Sequence, residues 1–93
     1  MQLPSFDDFS ALAREKGFDE VLERRWSPGQ IVPTHSHPFA AHAIVVQGEM
    51  WLQVDGSSRH LCPGDRFELE PNVPHDERYG AEGATYWVAR RAG

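Results

Sequence analysis

The chain has 93 residues, with 9 Lys+Arg against 14 Asp+Glu and a formal net charge of −5. That length excludes more than one domain of ordinary size, and the acidic balance argues against nucleic acid or an anionic membrane surface as partner. Its single cysteine, Cys62, excludes an internal disulfide and any zinc site built from several thiolates.

The N-terminal run MQLPSFDDF is acidic and lacks the basic-then-apolar order of a secretory signal. The longest mostly apolar stretch, 39–46, is far shorter than the ~20 residues of a membrane span. A cytoplasmic protein is expected. Residues 5–16 read as the only helix, because Phe6, Phe9, Leu12 and Ala13 recur at three- and four-residue spacing. Ser5 or Asp7 suits its cap, Asp7 and Asp8 suit the positive end of its dipole, and Gly17 ends it.

After Gly17 the helical period gives way to alternation. Phe18–Trp26 is a strand candidate with Leu22, Arg24 and Trp26 on one face. Ser27-Pro28-Gly29 is a turn, and Ile31–His37 is extended with Pro33 at a sheet edge. His42–Val46 and Met50–Val54 are strands separated by a turn at 47–49, and Asp55-Gly56 marks a hairpin. Arg66–Glu70, His75–Tyr79 and Ala84–Arg90 follow, divided by Pro71-Asn72-Val73-Pro74 and by a loop at 80–83. One short helix and seven or eight short strands, with turns every 8–12 residues, predict an all-β sandwich or barrel.

Four of the five histidines fall in two places. His35 and His37 are two apart in an extended segment, so their side chains share a face. His42 follows a corner across which strand parity cannot be carried, and His75 comes directly after a Pro-containing turn. Neutral imidazoles from separate strands at a barrel mouth suit a divalent transition metal, whereas a His-x-His pair alone is also found on solvated strands. His60 lies in a polar stretch beside a turn and reads as a surface residue.

The segment from Gly29 through His35, His37 and His42 to Gly48 resembles the first cupin motif: a glycine, five residues, His-x-His, and a glycine ending the next strand. The segment from Gly64-Asp65 to Pro74-His75 resembles the second. Motif one at 29–49, motif two at 64–75 and the hairpin between them cover about half the chain. The resemblance implies a single cupin domain over 1–93, an antiparallel jelly-roll β-barrel at about 18–90 with one N-terminal helix, and one metal ion inside it. His35 and His37 match the motif's pair and His75 its last histidine.

Two positions depart from the motif. Its glutamate falls on Ala41 or, with the longer gap, His42, so His42 is the expected substitute ligand. Four neutral imidazoles leave a divalent ion at +2, against +1 when a carboxylate is present, which favours an anionic co-ligand. A full tetrahedral shell of four histidines would instead be structural. The glycine of the last turn is Asn72, a residue that tolerates the left-handed conformation.

Tyr79 and Glu77 share strand parity with His75 and are candidates for proton transfer. Trp26, Phe39, Trp51, Phe67, Tyr79 and Trp87 line either a pocket or a plain core, and Cys62 reads as a small apolar residue rather than a nucleophile. The expected function is a mononuclear metal-binding cupin (Zn, Fe, Ni or Mn), a dioxygenase- or isomerase-like enzyme acting on a small anionic organic molecule. The alternatives are a non-catalytic ligand-binding or sensing module and a barrel with a purely structural metal. A homodimer is expected from the resemblance, and the small size and the sheet edge at Phe18–Trp26 supply a physical reason.

Overall fold

Helix α1 (Phe6–Glu15) begins where the Ser5 hydroxyl accepts the Asp8 backbone N–H at 3.0 Å, with Asp7 and Asp8 in the first turn. It ends at Lys16, before Gly17 turns the chain at φ +92°. The predicted helix thus included its two caps. The computed structural model describes residues 3–92.

Six strands follow: β1 (Glu20–Trp26), β2 (Ile31–His35), β3 (Phe39–Val54), β4 (Ser57–Leu61), β5 (Arg66–Leu69) and β6 (His75–Ala92). β3 and β6 are long and pair antiparallel from Phe39↔Ala92 to Val54↔His75. The first half of β3 takes β5 on its other side and the second half takes β4. Likewise β6 pairs with β2 near its start and with β1 near its end.

The expected turns at 47–49 and 80–83 are therefore bends inside continuous strands, not reversals. The β3–β6 register shifts between Val45 and Gln47 and again between Gly48 and Met50, so the ladder is bulged but unbroken. Gly48 has φ +75°, and a Cβ there would collide with the Gly83 carbonyl. Bulges plus a side-chain-free crossing let the paired strands fold over without losing their hydrogen bonds.

The fold-over buries one interior. Ala41, Ala43 and Val45 from before the bend share a cluster with Met50, Leu52, Phe67, Tyr79, Tyr86 and Val88. Alternation sends Ile44 to the opposite face, where it joins Ala89 under Phe9 and Ala13 of α1. The result is one six-stranded antiparallel sheet folded over into a barrel, with the helix covering one outer face.

Candidate metal centre

His35 ends β2, His37 follows it, and His75 opens β6, where the backbone pairs it with His35. The ring centroids lie 4.4 Å apart for His35 and His75, and 4.9 Å for His37 and His75. One ring nitrogen from each of the three lies within 4.8 Å of the others. The barrel interior thus brings together the three histidines that match the motif.

Each ring is oriented by main chain. His35 Nδ1–H donates to the Pro33 carbonyl at 2.8 Å, and His75 Nδ1–H to the Val73 carbonyl at 2.9 Å. His37 Nδ1–H points to the Phe39 carbonyl at 3.4 Å. A carbonyl only accepts, so in each neutral ring the hydrogen sits on Nδ1 and the Nε2 lone pair is free. This is the outer-sphere arrangement that fixes the tautomer of a metal-binding histidine. The Phe39 ring stacks flat on His37 at 4.2 Å, and the Asn72 N–H donates to the His37 carbonyl at 2.8 Å. Asn72 does this from φ +67°, so the left-handed turn survives without its glycine.

The carboxylate missing from motif one arrives from β6. Glu77 Oε2 lies 3.8 Å from His35 Nε2 and 3.7 Å from His75 Nε2. Donor atoms on a tetrahedral ion with bonds of ~2.1 Å are about 3.4 Å apart, so Glu77 stands near that spacing from two of the three imidazoles. Glu77 is 5 % exposed and His75 2 %, whereas the His35 side chain is 37 % exposed. The centre is walled by β6 and opens past His35.

His42 is not part of this centre, contrary to expectation. It lies on the face of β3 opposite Ala41 and Ala43, its ring stacked 6.2 Å from Phe9 of α1. His42 Nδ1–H donates to Glu68 at 2.9 Å, and the Arg66 guanidinium donates to its Nε2 at 3.1 Å. Ala41 faces the interior and carries no donor group. With Glu77 as fourth donor, a divalent ion retains +1 rather than the +2 of a four-histidine set.

Beneath Glu77 are two phenols. The Tyr79 hydroxyl donates to Glu77 Oε1, and the Tyr86 hydroxyl approaches the same oxygen at 3.4 Å. Burial, followed by the charges around it, holds the Tyr79 proton far more tightly than in water, and burial pushes Tyr86 up to about 12. Both therefore act as donors at neutral pH and leave Oε2 to face the imidazoles. Burial, reinforced by His75, holds the His37 pKa below the usual histidine range. Trp26 stacks on Tyr79 at 5.1 Å and Phe67 meets Tyr86 edge-on, so these two aromatics are floor and core. Trp87 packs on the helix side and Trp51 on His60, both away from the centre. His60 is exposed, as expected, while Cys62 is only partly covered and faces His60 rather than the core.

A gap between β4 and β5 holds a cavity of about 340 Å³ lined partly by Leu52, Val54, Leu69 and Val73. Val73 on its wall supplies the carbonyl that orients His75, and Arg59, Glu68 and Glu70 also line it. Its volume is that of a small-molecule site.

The family model described as Cupin domain matches residues 23–89. Comparison with curated proteins gives no match. Among solved structures, an RmlC-like cupin from Shewanella frigidimarina is similar at 26% identity and TM-score 0.68, over 77% of this chain and 65% of that one. The DMSP lyase DddQ from Ruegeria pomeroyi is similar at 26% identity and TM-score 0.66, over 76% of this chain and 36% of that one. KdgF from Halomonas sp., at 16% identity and TM-score 0.68, shares the fold over 86% of this chain and 89% of its own. This chain thus spans about a third of the lyase chain and just under two thirds of the RmlC-like cupin.

Proposed function

This chain belongs to the cupin family, and from that premise we propose that it is a mononuclear metal-dependent enzyme acting on a small anionic organic molecule. One observation carries the reading. A ring nitrogen from each of His35, His37 and His75 converges at a barrel mouth, with a Glu77 oxygen beside His35 and His75, and each ring is already oriented by a main-chain carbonyl. His35, His37 and His75 hold the ion and Glu77 completes the set. Nitrogen and oxygen donors of this kind suit Zn, Fe, Ni or Mn.

A divalent ion there supplies Lewis acidity toward a carboxylate, carbonyl or enolate oxygen. The protein's own groups do the rest. Glu77 offsets one unit of positive charge, so a single anionic group on the substrate brings the centre to neutrality. Tyr79 and Tyr86 stay protonated and fix the Glu77 carboxylate by hydrogen bonds. Chemistry of the dioxygenase, isomerase or lyase type fits these parts, and the likeness to a protein described as a DMSP lyase supports an enzymatic reading over a sensing one. A purely structural ion is disfavoured because the His35 side lies open to a ligand.

The test is elemental analysis of the purified chain, followed by calorimetry with oxalate as a two-oxygen anionic probe. Wild type should hold one ion at this centre and bind oxalate only when loaded. His35→Ala/His37→Ala should lose both properties. Oxalate binding equally well to metal-free protein, or no ion bound at His35, His37 and His75, overturns the proposal.

A further inference from the structure

A second convergence of donors lies on the outer face of the β3–β4 ribbon. Met50 pairs with Leu61 and Trp51 with His60, and Met50 and Leu61 point inward, almost wholly buried. Alternation therefore turns Glu49, Trp51, His60 and Cys62 outward together. His60 Nε2 lies 2.9 Å from Glu49 Oε2 and 3.7 Å from Cys62 Sγ. One donor atom from each of the three lies within 4.8 Å of the others.

The geometry separates two readings. A Cys–His–Glu relay for nucleophilic attack needs the thiol on one imidazole nitrogen and the carboxylate on the other. Here both meet the same Nε2, so three donor atoms are gathered about one point, as around a cation. The donors are also held. His60 stacks on Trp51 at 4.8 Å, and the Arg78 guanidinium lies 4.7 Å from the Trp51 ring. The Cys62 N–H is fixed by Asp65 Oδ2 at 2.8 Å. Glu49 lies over Gly80, where a Cβ would strike its Cγ at 2.6 Å.

We propose that Glu49, His60 and Cys62 form a second divalent-metal site, suited to zinc, on the outside of the barrel. Thiolate, imidazole and carboxylate together suit this borderline-soft ion, and the two anions neutralise it. Binding releases the thiol proton, and the His60 hydrogen moves from Nε2 to Nδ1. With three protein donors, a fourth tetrahedral position faces solvent and takes water or an exchangeable ligand.

Cobalt(II) is the probe, because a cobalt–thiolate bond gives a near-ultraviolet charge-transfer band that imidazole and carboxylate do not. The metal-free full chain, kept reduced with a phosphine, should bind two equivalents and develop the band. Cys62→Ser and His60→Ala should each lose the band and one equivalent. Both side chains are at least partly exposed, so neither substitution opens a cavity in the core. His35→Ala/His37→Ala should lose the other equivalent and keep the band, which separates this site from the interior one. Absence of the band in wild type, or its persistence undiminished in His60→Ala, overturns the proposal.

Discussion

At His35, His37 and His75, the nitrogen facing away from the centre is tied to a carbonyl two residues along the chain. Ring orientation is thus set by local backbone, and the charge of the centre by Glu77. Tyr79→Phe removes the hydroxyl that fixes Glu77 Oε1. It should weaken metal affinity by roughly tenfold, as loss of an outer-sphere partner does, measured by competition with a chromophoric chelator. Glu77→Gln should weaken it further, since the charge itself is lost. Protons compete with the ion for Nε2, so occupancy should fall as the pH is lowered. Undiminished occupancy at about pH 4.5 would contradict histidine ligation. His37 adds a related effect without metal. Its lowered pKa means the unfolded chain takes up a proton near pH ~6.5 that the folded chain resists. Its contribution to stability is therefore present above that pH and lost as pH falls below it. The His-x-His spacing made the pair legible in the sequence. His42 was not, because the corner at 38–41 hides strand parity. Glu77 was visible through its parity with His75, but nothing in the sequence marked it as the carboxylate that motif one lacks.

Helix α1 adds a second layer to only one half of the barrel, through Phe9 and Ala13 on Ile44 and Ala89. Phe9→Ala should cost about 3 kcal/mol of stability, read from urea unfolding, while the metal affinity of the folded protein stays unchanged. A matching loss of affinity would place the helix inside the functional unit. The helix was legible from its period and caps, and β1 as a strand from its alternation. The two long strands were not. Gln47-Gly48-Glu49 and Gly80–Gly83 have the composition of reversals, and only the partner strand distinguishes a bulged bend from a turn. Gly48 and Gly83 are there because two backbones cross in contact, a tertiary fact that no local window contains.

For the whole molecule, β1 carries a free edge among the described residues, with β6 as its strand partner. Glu23 and Arg25 form an ion pair on that strand. Two copies running antiparallel would set Glu23 against Arg25, so the edge is self-complementary. Light scattering should give the mass of two chains, and a value near the 10.5 kDa of one chain rejects the pairing. Among the described residues, no helix is long and apolar enough to cross a membrane.

Because β3 and β6 each run through both halves of the folded-over sheet, neither half is assembled from one stretch of sequence. A nick at the exposed Asp55-Gly56 hairpin would yield an amino-terminal piece holding His35 and His37 and a carboxy-terminal piece holding His75 and Glu77. Neither piece has the complement of strands to close around an interior, yet together they have every one. Metal capture then becomes a complementation assay, silent in each fragment alone and restored on mixing.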